Sequence, residues 1–429
     1  MLIAGGRLID PLQDIDSLLD VRIHAGTVAE IGPHLHASAG EDVFDATGCC
    51  VAPGFIDMHV HLREPGEQEK ETIQSGTAAA AAGGFTAVAC MPNTKPALDT
   101  PQRIQNVVGL ARAASFAHVY PVAAITAGRM GKDLLDYRAL HKAGAVAFSD
   151  DGATVMNAAV LRDAALAAAG VAGAFISHCE DAALKGSAVM HAGKTSQALS
   201  LPAAGGVVED VIVARDLLLA EDTAKKWHIA HLSTRRGVEL VQWSRTRGGN
   251  ATCEVTPHHL LLDDEAVARL GAEAKVNPPL RSSDDAAALR SAVRDGTIDV
   301  FATDHAPHSF ADKAGGMLHA AVGFSGLEVA LGTYALAVPD LSLRRFVELL
   351  SVNPARILGV RGGTLRVGSP ADITVFADRQ WKVDPQAFYS EGKSTPFAGW
   401  TLPRKAIATI IDGHLVISNG SLATADTLA

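Results

Sequence analysis

The chain has 429 residues, of which 48% are hydrophobic and 20% charged, with a formal net charge of -10. That balance excludes a disordered chain, and the length suits a large barrel with an appendage better than one average domain. No Lys/Arg cluster supplies phosphate neutralisation, which argues against nucleic-acid binding, and no stretch approaches the roughly 20 apolar residues of a membrane span.

Residues 1–50 hold short strand-like pieces separated by Gly and Pro, as in Val21–Pro33. Beyond them, apolar or β-branched runs alternate with longer Ala/Leu-rich stretches of helical character. Eight such runs are Gly54–His59, Phe85–Met91, Ala117–Ala123, Gly144–Phe148, Ala174–His178, Trp227–His231, Thr252–Val255 and Ile298–Thr303. Eight strands with intervening helices predict an α/β fold, a (β/α)8 TIM barrel over residues 51–360. A doubly wound open sheet shares the alternation, but no Gly-x-Gly-x-x-Gly turn follows the first strand. Residues 361–429 return to the texture of the N-terminal segment, as in Ala371–Phe376 and Ala408–Ser418. The economical expectation is one small β domain assembled from 1–50 and 361–429. Five scattered cysteines without Cys-x-x-Cys spacing, and a start lacking a basic, apolar leader pattern, suggest reduced thiols and a cytoplasmic setting.

In such a barrel, chemistry sits at the C-terminal ends of the strands. His59 and His61 end the first strand one residue apart, so they face the same way. Arg63 follows, placed to hold a carboxylate beside a metal. The fourth strand ends in Asp150-Asp151-Gly152, the fifth in His178, the sixth in His231 and the eighth at Asp304. Each histidine alone is more often a packed or surface residue; together, on one barrel face, these groups predict a metal site. Imidazoles with carboxylates suit Zn2+. Six groups exceed what one tetrahedral ion needs, so two ions are expected. His59, His61 and Asp304 would hold one, His178 and His231 the other, with a strand-four carboxylate between them. Asp150 and Asp151 compete for that place, because adjacent residues face opposite ways.

The segments Asp57–Gly66, Met91–Thr94, Phe148–Gly152, Ser177–Glu180, Ala230–Ser233, Val255–Leu260, Val276–Arg281 and Ala302–His308 carry a resemblance over nearly the whole chain. The sequence resembles the bacterial class I dihydroorotases of the amidohydrolase superfamily; Asn353–Gly359 and Gly368–Asp372 are shared more widely across that superfamily. The resemblance implies reversible cyclisation of N-carbamoyl-L-aspartate to L-dihydroorotate with loss of water, in pyrimidine biosynthesis. It implies two Zn2+ per subunit bridged by Asp151, a zinc-activated hydroxide, and Asp304 as the proton shuttle. It also implies substrate contacts from His61, Arg63, Asn93, Asn277, His308 and the main chain of Val322 and Gly323. A homodimer, and association with aspartate transcarbamoylase, belong to the same expectation. Hydantoinases and allantoinases bridge their metals with a carboxylated lysine on strand four, and Ala145–Asp151 offers none. A non-catalytic scaffold subunit would lose metal ligands, all of which remain here.

Some residues depart from the pattern or stand outside it. The loop after His308 reads Ser309–Lys313, and Ala321-Val322-Gly323 replaces the apolar-Phe-Gly step of family members. Gly315 and Gly316 suggest a mobile lid there. His258, His259 and His305 are expected to orient loops, and Cys179 to be a buried thiol.

Overall fold

Strands covered by helices on one face and filled by neighbours on the other must be apolar throughout. Phe55–Val60 and Phe85–Cys90 meet that demand, being buried at every position. In the computed structural model, which describes residues 1–423, they are the first two strands of an eight-stranded parallel sheet. The others are His118–Ala123, Ala147–Phe148, Phe175–Ser177, Trp227–Ile229, Thr252–Val255 and Val300–Phe301, hydrogen-bonded in chain order. The sheet closes on itself where Val60 bridges His305 and the His61 amide donates to the His305 carbonyl at 2.8 Å.

Several strands stop short of the bounds expected from sequence: the fifth ends at Ser177 rather than His178, the sixth at Ile229 rather than His231 and the eighth at Phe301 rather than Thr303. The backbone explains this. His231 and Asp304 adopt φ of 31° and 48°, outside the extended region, so the ladder ends where these side chains turn toward the barrel axis. Arg63 does the same after the first strand, with φ of 57°. Left-handed backbone at three non-glycine residues is strain that the surrounding fold must over-determine.

That surrounding fold is well packed. Phe148, Phe175 and Trp227, from strands four to six, are fully buried and contact one another with ring centroids 5.9 and 5.5 Å apart. Such pairs add about 0.5–1.5 kcal/mol each beyond their area. The helix Ile73–Ala82, capped by Thr72, presents Ala78 to Ala81 inward, and these small side chains bring it close against the barrel.

A seven-stranded sheet draws Arg7–Asp10, Ile15–Leu18 and Cys50–Pro53 from one side of the barrel sequence. Ile373–Ala377, Lys405–Ile411, His414–Ser418 and Ser421–Leu422 come from the other. A four-stranded sheet holds Leu2–Ala4, Asp20–His24, Thr27–Gly32 and Val43–Asp45. Ile3, Val21, Val51, Ile373 and Ile410 are among the residues of the shared apolar core. Residues 381–402 leave the sheet: Phe388 and Phe397 pack against Leu262, Met317 and Phe324 of the barrel loops. This excursion braces the rim, since the Ser390 hydroxyl donates to Glu71 and the Ser325 hydroxyl to the Gly392 carbonyl. The C-terminal residues 424–429 of the expected β segment lie outside the described residues. Among the described residues no helix is long and apolar enough to cross a membrane.

Candidate active site

His59, His61, Asp151, His178, His231 and Asp304 converge at the C-terminal mouth of the barrel, all buried. Asp151 stands at the centre. His59 Nε2 lies 3.3 Å and His178 Nδ1 3.8 Å from its Oδ1, His231 Nε2 3.9 Å from the same atom, and His61 Nε2 3.6 Å from its Oδ2. Asp304 Oδ1 is 3.0 Å from His61 Nε2 and 3.6 Å from His59 Nε2. Two overlapping sets, His59/His61/Asp151 and Asp151/His178/His231, thus bring their ligand atoms within 4.8 Å of one another. Asp150 points elsewhere: its carboxylate accepts the Ile125 and Thr126 amides at 2.8 and 3.1 Å and the Thr126 hydroxyl at 2.5 Å. Of the two aspartates in competition, Asp151 is the one that lies among the imidazoles.

Some of these atoms pair with each other, His178 Nδ1 with His231 Nε2 at 2.8 Å and His61 Nε2 with Asp304 Oδ1 at 3.0 Å; others do not. His59 Nε2 and Asp151 Oδ1 are buried without a hydrogen-bond partner, although they lie 3.3 Å apart. A buried unpaired polar atom costs about 1–3 kcal/mol, which a cation between the two would relieve. The residues fit a divalent metal site. Burial pushes the Asp151 carboxylate up, but His59, His61 and His178 together hold it well below the usual range. Asp304, likewise opposed by burial, is held low by its hydrogen bond to His61 and by His59 and His231. Burial, with His178 and His59 close by, pushes the His231 imidazole down to about 3, so it stays neutral as a metal ligand must be.

The far sides of the imidazoles are held too. His59 Nδ1 donates to Glu254 Oε1 at 2.6 Å, and His61 Nδ1 to Asn93 Oδ1 at 2.9 Å. Glu254 is fully buried on the seventh strand and also meets His228 Nε2 at 3.1 Å and the His231 amide at 3.1 Å. A carboxylate behind a ligating imidazole fixes its tautomer and raises its basicity. Sequence reasoning missed Glu254; its one signal was a charged residue in the apolar barrel strand Thr252–Val255. Asp57 was missed as well. It accepts the Thr303 hydroxyl at 2.5 Å and ties strand one to the end of strand eight.

A cavity of about 370 Å³ opens above the cluster. Of the metal-ligand and substrate-contact residues expected from the resemblance, all but His59 line it: His61, Arg63, Asn93, Asp151, His178, His231, Asn277, Asp304, His308, Val322 and Gly323. His59 lies beneath, fully buried. Arg63 is anchored by donation from Nε to the Pro307 carbonyl at 3.3 Å, and its Nη2 lies 3.3 Å from His308 Nε2. Burial and the Arg63 cation push the His308 imidazole down to about 3, so it enters the site neutral. Glu180 and Lys185 also line the cavity; Lys185 Nζ donates to Glu180 Oε1 at 2.7 Å and to Asn277 Oδ1 at 3.3 Å. His259 Nε2 donates to the Pro278 carbonyl at 3.0 Å, beside Asn277, and His305 bridges Glu71 and the Gly326 amide, so both orient loops. Cys179 is a buried thiol.

Comparison with known proteins places this site in a family. A model described as "Dihydro-orotase-like" matches residues 48–237, and one described as "Amidohydrolase family" matches residues 240–417. A dihydroorotase of Syntrophus aciditrophicus (strain SB) is 46% identical over 421 residues, covering 97% of this chain and 99% of that protein. The chain belongs to the dihydroorotase family. Another family member, from Pelotomaculum thermopropionicum (strain DSM 13744 / JCM 10971 / SI), is 47% identical over 426 residues, covering 98% and 99%. Among solved structures, the L-hydantoinase of Arthrobacter aurescens superposes with a TM-score of 0.88 at 25% identity, covering 99% of this chain and 97% of that one. The dihydropyrimidinase of Brevibacillus agri NCHU1002 gives 0.86 at 22% identity, covering 98% and 96%. These structures share the barrel fold; the dihydroorotase family is set by the closer sequence relatives.

Proposed function

We infer that the site interconverts L-dihydroorotate and N-carbamoyl-L-aspartate. The observation that carries this reading is the placement of Arg63 in one cavity with His61, Asp151, His178, His231 and Asp304. A guanidinium presents two parallel donors to a carboxylate, and both molecules carry one on the carbon two bonds from the carbonyl carbon that reacts.

Two zinc ions would be held by His59, His61 and Asp304 on one side and His178 and His231 on the other, with Asp151 between. When bound, the metal centre activates water near neutral pH and polarises the carbonyl under attack. The remaining work falls to the chain. Arg63, with Asn93 and His308 nearby, holds the substrate carboxylate, and Asn277 with the main chain of Val322 and Gly323 covers the ring. In the hydrolytic direction the water oxygen joins the ring amide carbonyl carbon and the carbon–nitrogen bond breaks. Asp304, ionised in this pocket, takes the proton released by the water and delivers it to the departing ring nitrogen. In the cyclising direction it takes a proton from the carbamoyl nitrogen as that nitrogen attacks the carboxyl carbon and delivers it to the departing carboxyl oxygen, which takes a second proton from solvent and leaves as water.

The same reading includes a cytoplasmic homodimer able to associate with aspartate transcarbamoylase. Five free thiols support the reducing compartment. On the helix Val207–Thr223, Val207, Val211 and Leu218 are exposed apolar side chains that support docking of a further chain. Strand four, Ala147–Phe148, bears no lysine to carboxylate, which removes the support for a hydantoinase-type bridge. The test is turnover on L-dihydroorotate, N-carbamoyl-L-aspartate, hydantoin and allantoin side by side. The first two are expected to react; activity on hydantoin alone would overturn the assignment.

A further inference from the structure

Ala321, Val322 and Gly323 line the cavity, and four successive carbonyls of that rim are each held by a cation or an imidazole. Lys275 Nζ donates to the Ala320 carbonyl at 2.7 Å. Lys313 Nζ donates to the Ala321 and Gly323 carbonyls at 3.1 and 2.9 Å, and His308 Nε2 to the Val322 carbonyl at 2.9 Å. The Gly323 amide donates in turn to the Lys275 carbonyl at 3.0 Å, so the rim and its anchors close into one network. Both lysines are buried, each 6% exposed.

Burying an ammonium is costly, and an aliphatic side chain would fill the same space with less penalty. What the ammonium adds is direction. Because the peptide group is planar, a carbonyl held in one orientation fixes the amide of the next residue. The Ala321 carbonyl therefore sets the Val322 amide at the cavity edge, and the Val322 carbonyl sets the Gly323 amide on the Lys275 carbonyl. Gly323 has φ of +116°, and a Cβ there would lie 2.6 Å from Ala306 Cβ and 2.8 Å from the Ala306 carbonyl oxygen. The rim thus sits at closest approach to the strand-eight loop on one side and on two buried cations on the other. Burial pushes the Lys313 amine down to about 8, which leaves it mostly charged at neutral pH.

We propose that Lys313, assisted by Lys275, is a positioning residue for substrate binding, acting through the main chain of Ala321–Gly323. The proposal rests on the dihydroorotase reading above. Neither lysine touches the reacting atoms in this scheme. A rim that contacts ground state and transition state alike governs KM and leaves kcat nearly unchanged.

The test is steady-state kinetics of Lys313→Met with L-dihydroorotate. KM is expected to rise about tenfold, equivalent to about 1.4 kcal/mol, with kcat within about threefold of the unmodified protein and bound metal unchanged. Lys313→Cys followed by aminoethylation, which rebuilds a lysine analogue, is expected to restore KM; the unmodified protein treated alike controls for its own cysteines. A folded Lys313→Met protein with unchanged KM overturns the proposal. So does a fall in kcat at constant KM, or failure of the rebuilt amine to restore binding. If Lys313→Met does not fold, Lys275→Met, which removes only the Ala320 bond, is read by the same criteria. Absence of dihydroorotate turnover in the unmodified protein overturns the underlying reading and this proposal together, and so is distinct from every outcome above.

Discussion

Replacing Glu254 by Gln weakens the metal centre without touching a metal ligand. The carboxylate is fully buried, accepts from His59 Nδ1 at 2.6 Å, and also faces His228 Nε2 at 3.1 Å and the His231 amide at 3.1 Å. Three donors therefore converge on one anion. A glutamine keeps one acceptor oxygen and turns an NH2 toward the others, so at least one donor loses its partner. A hydrogen bond to a charged group contributes about 1.5–3 kcal/mol and a neutral one about 1, so the His59 contact alone loses about 0.5–2 kcal/mol. With the second donor left unpaired, metal affinity is expected to fall about 10–100-fold, in line with the loss of other carboxylates behind ligating imidazoles. Chelator-competition titration of zinc measures it, with circular dichroism to establish that Glu254→Gln is folded. Excess zinc is expected to restore most turnover. A folded variant with affinity within about twofold of the unmodified protein would show that Glu254 does not tune His59.

Two further outcomes follow from the same geometry. Asp304→Asn cannot accept the proton, so turnover is expected to fall at least about a hundredfold; near-normal turnover with unchanged metal content would remove Asp304 from the shuttle role. Glu328, whose carboxylate accepts the Tyr389 and Ser390 amides, is pushed up to about 8 from 4.5 by burial. The folded state therefore holds a proton that the unfolded state releases between those values, and stability falls as pH rises through that window. Glu328→Gln is expected to raise the unfolding midpoint at pH 9 by about 2 °C or more relative to its effect at about pH 3.5, below the window; equal shifts at both pH values would contradict the linkage.

The clustering of His59, His61, Asp151, His178, His231 and Asp304 was legible because each follows the stop of an apolar run, and a barrel places all such ends on one face. The choice between Asp150 and Asp151 was not legible from alternation, because strand four shrinks to Ala147–Phe148 and both aspartates lie beyond it, in backbone that follows no two-residue period. Glu254 escaped notice because a single charge in Thr252–Val255 has no partner nearby in sequence; only closure of the barrel brings it to His59, His228 and His231. The rim lysines were illegible for a related reason. Lys275 and Lys313 read as surface charge, and their carbonyl partners at Ala320, Ala321 and Gly323 carry no side-chain signal. The excursion 381–402 shares the Gly/Pro texture of the flanking strands, and only its contacts with Leu262, Met317 and Phe324 separate it from the sheet.

His59, His61, Asp151, His178, His231 and Asp304 would together hold two ions, and reconstitution tests this most directly. Metal-free protein titrated with zinc while dihydroorotate turnover is followed is expected to be inactive at the start and to plateau at two equivalents per chain. Undiminished turnover in the metal-free protein, or a plateau at one equivalent, would contradict it.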